Sequence, residues 1–263
     1  MSRRLQFSPE RAGLLGNAQE SPMTPTLKIL LLAGSLLIGG TAAIAQSRPA
    51  VIELYTSEGC SSCPPAEAYL GELAQRGDVL ALSFHVDYWD DLGWRDRFAL
   101  PAAVTRQRAY AQALRLASVY TPQAVIDGTG NFVGSDRSAI ERALRSKRTD
   151  AAGRPTLGID LAVLAGDVKI DLAAQAGATP SEIVLIAYQR TAQTPVGRGE
   201  NSGRTLREFN IVRDFHTLGR WSGEARQFRV RGDSLPPGTT DVAVIVQAQG
   251  QSAIIGAASV ALN

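Results

Sequence analysis

Sulfur and imidazole are scarce in this 263-residue chain: it has two cysteines, Cys60 and Cys63, and two histidines, His85 and His216. One pair of thiols three positions apart closes too short a loop to staple a fold, and four widely placed ligands are a poor zinc set. Repeats and low-complexity stretches are absent. No run of like charge reaches five residues, which argues against nucleic acid or an anionic membrane as partner. The apolar block Leu27 to Ile38 is too short for a bilayer span, which wants about 20 residues. What remains, 44% hydrophobic and 20% charged, is ordinary globular composition with length for two modest cores.

The apolar block carries one lysine, Lys28, near its start and is followed by Ala43-Ile44-Ala45, an A-x-A cleavage pattern. Residues 1–45 therefore read as a leader with a secretory signal peptide, starting in effect at Met23 and cut after Ala45. Of the 27 basic and 25 acidic residues, the leader holds four basic (Arg3, Arg4, Arg11, Lys28) and two acidic (Glu10, Glu20), so the mature chain has 23 of each. A periplasmic or secreted, electroneutral chain with no membrane span is expected. Its oligomeric state is not written in the sequence.

Val51 to Thr56 patterns as a strand, Pro65 to Arg76 as a helix and Val79 to Val86 as a second strand, the simplest arrangement being parallel strands across a helix. A helix from Pro101 to Leu116, a hairpin of Gln123 to Ile126 with Phe132-Val133 across Asp127-Gly128, and a helix from Arg137 to Lys147 follow. The order β-α-β-α-β-β-α over residues 49–150 is that of an α/β thioredoxin-like domain. After Thr149 to Pro155 the pattern becomes short alternating runs at about ten-residue spacing, between Leu157 and Val260, separated by turn clusters. An all-β sandwich domain over residues 155–263 is expected.

Cys60-Ser61-Ser62-Cys63 falls at the first strand-to-helix junction, where two thiols one turn apart suit a reversible dithiol/disulfide couple. The stretches Glu58 to Pro65, Phe84 to Asp90, Val119 to Gln123, Gly199 to Gly203 and Asn210 to Arg213 together resemble the secreted family called "domain of unknown function 1223". That resemblance implies a thioredoxin-like fold and leaves the reaction open. In thioredoxin-like terms Cys60 looks like the nucleophilic cysteine, Cys63 the resolving one and Pro122 the cis-proline beside them. Gly59 and Ser61-Ser62 depart from the tryptophan and glycine-proline of thioredoxin, which bears on potential and substrate.

The first cysteine is expected at the N-cap or first turn, where the macrodipole and free N–H groups favour a thiolate, with Ser61 and Ser62 as possible hydroxyl donors. Attack by Cys60 on a partner disulfide and resolution by Cys63 need no cofactor. The strand ends would deliver Ser57, Glu58, His85, Asp87, Tyr88 and Trp89 to the same rim. His85 could shuttle a proton or equally be a satisfied core histidine. The aromatics could form a lip for polypeptide or simply pack their loop, and the Thr121 backbone could pair with an extended substrate. Protein or small-molecule thiols and disulfides are the expected partners of such an oxidoreductase. Two other readings stand beside it: a copper carrier using Cys60, Cys63 and His85, and a binding module without catalysis. In the second half, Glu200, Asn201 and Arg204 mark a polar, Gly-rich loop, with Asn210 and Arg213 on or next to the following strand; the loop either docks on the first half, contacts a partner or only forms a turn.

Overall fold

The structure, a computed structural model, describes residues 48–151 and 157–262. The expected leader, including Met23 and the cut after Ala45, lies outside these residues, as do positions 152–156 at the expected junction. Among the described residues no helix is long and apolar enough to cross a membrane.

The first half runs β1 (Ala50–Thr56), α1 (Pro64–Leu73), β2 (Val79–His85), α2 (Pro101–Ala113), β3 (Gln123–Ile126), β4 (Gly130–Val133) and α3 (Arg137–Ala151). β1 and β2 are buried throughout, as strands covered on both faces must be, and pair in parallel from Ala50↔Val79 to Thr56↔His85. β3 lies antiparallel to β1 on its other side. The β3–β4 turn needs positive φ at Asp127 (48°) and Gly128 (70°). A side chain at Gly128 would also strike the Ser252 carbonyl oxygen, 2.1 Å from where its Cβ would stand.

The second half is β5 (Ile159–Leu164), β6 (Asp167–Leu172), β7 (Ser181–Pro195), β8 (Thr205–Trp221), β9 (Arg226–Val230), β10 (Asp241–Ala248) and β11 (Ile254–Ala261). β5, β6 and β9 form a three-stranded antiparallel sheet. The other four join the first half in one mixed eight-stranded sheet ordered β11-β10-β7-β8-β2-β1-β3-β4. The seam is β8 against β2, parallel at Ser83↔Ile211, with the Asn210 side-chain amide donating to the Ala81 carbonyl at 2.8 Å. The stacked sheets expected for residues 155–263 thus share one sheet with the α/β half, and β8 covers a β2 edge that would otherwise be unpaired.

Alternation along the strands sorts the core. On β1, Ile52 and Leu54 pack with Leu70 and Leu73 of α1 and Ile140 and Leu144 of α3, while Val51 and Tyr55 face Ala103, Val104 and Tyr110 of α2. On β7 and β10, Ile183, Leu185, Val242 and Val244 meet Val168, Ile170 and Leu172 of the small sheet around Trp221. β7 and β8 run well past the alternating runs Ile183 to Tyr188 and Leu206 to Val212 that mark them in sequence. Their polar ends pair as a two-stranded arm, from Gln189↔Ile211 to Pro195↔Thr205.

One charge is enclosed between these layers. Glu53 of β1, fully buried, accepts from Arg106 Nε at 2.6 Å and Nη2 at 2.8 Å, from Tyr110 at 2.6 Å and from Tyr55 at 3.1 Å. Arg106 also donates to Gln247 of β10 at 2.9 Å, tying β1, α2 and β10 together. Removing one partner of a buried pair strands the other charge, at a cost of about 3–5 kcal/mol. Glu53→Ala should lower the unfolding free energy by that amount in urea titration; a loss below about 1 kcal/mol would show that Arg106 finds water instead.

Candidate active site

Cys60 and Cys63 form a disulfide, Cα atoms 5.4 Å apart, in the turn between β1 and α1. The turn is closed by Cys60 N–H donating to the Ser57 carbonyl (3.1 Å) and Cys63 N–H to the Cys60 carbonyl (3.2 Å). The helix N-cap is Cys63, not Cys60, and Pro64 and Pro65 occupy the next two positions. Prolines have no N–H, and those of Ala66 and Glu67 both donate to the Cys63 carbonyl, at 2.9 and 3.1 Å. The first turn therefore offers a sulfur its macrodipole but no free backbone donor, unlike the expected arrangement. The Ser62 hydroxyl lies 3.4 Å from Cys60 Sγ; Ser61 and Ser62 are otherwise exposed.

The loop between β7 and β8 closes over this turn. Asn201, buried, donates its amide to both the Glu58 and the Cys60 carbonyls at 2.9 Å, and the Glu200 carboxylate accepts from the Ser61 N–H at 3.2 Å. Cys60 has no exposed surface and Cys63 has 1%. Cys63 nevertheless lines a cavity of about 550 Å³ between α1, the end of β2 and β8.

Buried acids surround that cavity. His85 Nδ1 is 2.7 Å from Asp96 Oδ2, which also accepts from the Glu58 N–H at 2.8 Å; His85 Nε2 has no hydrogen bond and lies 3.9 Å from Glu67 Oε1. Glu67 accepts from Ser83 at 2.7 Å, and Glu208 of β8 from Thr194 at 2.9 Å. Burial works against the charge on His85, but the Asp96 and Glu67 carboxylates outweigh it and hold the imidazole up to about 10. Burial raises Glu67 and pushes Glu208 up to about 8, against the pull of His85. Burial would raise Asp96 too, yet its contact with His85 holds it below the usual carboxylate range.

Residues 51–247 match the family described as protein of unknown function DUF1223. The chain belongs to that family. A crystal structure of protein AGR_C_4864 from Agrobacterium tumefaciens is similar to this DUF1223 chain at 31% identity and a TM-score of 0.72, covering 83% of this chain and 97% of the other. Among curated proteins none matches.

The residues singled out from the DUF1223 sequence divide in space. Ser57, Glu58, Cys63 and His85 share the cavity. Trp89 donates to the Thr121 hydroxyl at 2.9 Å and packs on Gly59, linking the cysteine turn to the loop of Pro122. The Thr121–Pro122 peptide is cis, and Pro122 and Ala66 both crowd Gly134, which places the proline near the first turn of α1. Asp87 and Tyr88 go elsewhere: Asp87 edges a different depression with Asp90 and Arg95, and the Tyr88 hydroxyl donates to Gln107 of α2 at 3.3 Å. Trp94 donates to the Glu58 carboxylate at 2.7 Å. Among the described residues no three His, Cys, Asp or Glu side chains are arranged to hold a metal, and Cys60, Cys63 and His85 do not converge as a ligand set. Sequence reading missed Glu67, Asp96 and Glu208. Glu67 was findable as a lone acid on the apolar face of α1, but Glu208 carried no local signal.

The electrostatics set a pH dependence. His85 keeps its proton in the folded state above the ordinary 6.5, so its contribution is complete below about pH 6.5 and is lost as pH rises through about 10. Glu208 acts in the same sense from about 4.5 to 8, since the unfolded chain releases its proton first. Stability should therefore fall from pH 5 to 8, and Glu208→Gln should flatten that slope in urea unfolding; an unchanged slope would place the proton elsewhere. The Asn201 clamp is separately testable. Asn201→Ala leaves the Glu58 carbonyl unpaired and the Cys60 carbonyl with the Cys63 N–H alone, at about 1–3 kcal/mol, and should speed reduction of the native disulfide by dithiothreitol about tenfold or more. An unchanged rate would mean the loop does not control access.

Proposed function

We propose that this DUF1223 protein is an exported, thioredoxin-like thiol–disulfide oxidoreductase. In this reading it acts in the periplasm or outside the cell and exchanges disulfides with protein or small-molecule thiols through Cys60 and Cys63. The observation that carries the reading is the disulfide at the β1–α1 junction, with one of its sulfurs belonging to a residue on a cavity wall. A bond closing so short a loop adds little to stability, whereas exchange requires a sulfur that a visiting thiolate can reach. The parallel β1-α1-β2 unit followed by the antiparallel β3–β4 hairpin and α3 supports the thioredoxin-like assignment.

Exchange needs no resident cofactor. A thiolate attacks one sulfur of the protein disulfide, the other sulfur leaves, and a second thiolate resolves the mixed disulfide. Loss of the leaving sulfur is eased for Cys60 by the Ser62 hydroxyl, and for Cys63 by the start of α1. His85 and Glu208 hold protons near neutral pH on the same cavity, suited to protonating a departing thiolate there.

Equilibration with glutathione redox buffers decides the matter. The protein should show a two-electron transition between about −270 and −120 mV, the span of exchange-active dithiols. A disulfide that stays oxidised below about −300 mV, or opens only in denaturant, would mark it as structural.

A further inference from the structure

Seven buried side-chain atoms among the described residues lack a hydrogen-bond partner, and five of them, on Thr56, Glu58, Glu67, His85 and Glu208, belong to residues lining the cavity beside Cys63, where Glu58 Oε1 has only Arg97 Nε at 3.7 Å and His85 Nε2 only Glu67 at 3.9 Å. Native interiors leave few such atoms unpaired, so their concentration on one cavity points to a polar occupant. The wall formed by β8 adds the opposite sign. Arg204 and Arg207 line the same cavity, are exposed, and make no ion pair among the described residues. Carboxyl groups within and guanidinium groups at the exposed edge complement a small molecule that carries both an ammonium and a carboxylate.

Size and access narrow the class. A volume of about 550 Å³ is within the range of small-ligand pockets. Cys60 has no exposed surface, whereas Cys63, itself only 1% exposed, is a residue of the cavity wall, so a guest in this cavity meets Cys63 rather than Cys60. We propose that the cavity binds a low-molecular-weight thiol of amino-acid type, cysteine being the simplest, and its disulfide. The ammonium is directed at Glu67, the carboxylate at Arg204 and Arg207, and the sulfur at Cys63. This rests on the exchange reading above and deepens it by naming the substrate and the sulfur it enters on, which reverses the order implied by likeness to thioredoxin.

The bound thiolate attacks Cys63 Sγ, forming a substrate–Cys63 disulfide as the Cys60–Cys63 bond breaks and Cys60 departs as a thiolate. A second substrate thiolate attacks the substrate sulfur of that mixed disulfide, forming the small disulfide and releasing Cys63. Two small thiols give up two electrons and two protons, and the protein disulfide takes both to become a dithiol. Run backward, the dithiol reduces the small disulfide.

The test is reduction of the oxidised protein by four thiols: cysteine, cysteamine without the carboxylate, 3-mercaptopropionate without the ammonium, and 2-mercaptoethanol without either. Rates are normalised to each thiolate concentration and its intrinsic basicity. Cysteine should lead each of the others by about tenfold or more, one charge-assisted hydrogen bond being worth that much. Its lead over cysteamine should vanish in Arg207→Ala, an exposed position, and its lead over mercaptopropionate in Glu67→Gln. Equal normalised rates for all four would overturn the cavity assignment while leaving exchange intact. Should no thiol reduce the native disulfide, the exchange reading fails by itself, and calorimetry with unreactive S-methylcysteine decides the cavity. Binding weakened by Arg207→Ala keeps the assignment, and no binding ends it.

Discussion

The pairing of β8 with β2 is the contact on which the candidate site depends. Through it the second half of the chain becomes part of the sheet that carries the cysteines, and the arm of β7 and β8 is held over the β1–α1 turn. Asn210 fixes the seam by donating to β2, and nine residues upstream Asn201 reaches the Cys60 carbonyl. Glu208 comes to the cavity because it is two residues before Asn210 on the same strand.

The seam also explains why so much charge is buried near one disulfide. Each half alone would leave these carboxyls at an edge open to water. Joined, they enclose Glu67, His85 and Asp96 from the first half with Glu208 from the second, and burial then sets their protonation. The interaction differs in kind from Glu53 with Arg106 on the opposite face of the sheet, where the hydrogen bonds of the carboxylate are filled from α2 and β1. One buried charge is satisfied and holds layers together; the other group leaves atoms unpaired around a space. Native interiors retain unpaired groups chiefly where a ligand or a reaction uses them.

Much of this was legible in the chain. The apolar runs of β1 and β2, the prolines opening α1 and α2 and the Asp127-Gly128 turn fixed those elements closely, because each signal is local. The cysteine turn was legible for the same reason, yet Cys60, expected at the N-cap or first turn, precedes both: the N-cap is Cys63, and Pro64 and Pro65 open the helix. The later parts of β7 and β8 were not legible. Gln189 to Gln193 is mostly polar and partly or fully exposed, and it is a strand only because the run from Leu206 is its partner.

By itself the sequence determined the order of elements, the family and the pair of sulfurs, since each depends on short-range pattern or on a string of matched motifs. Which cysteine lies on a cavity wall, which acids keep their protons and how the halves share a sheet were decided only in three dimensions. Burial and Coulomb interactions act between residues as far apart as Glu67 and Glu208, and no local pattern announces such a meeting.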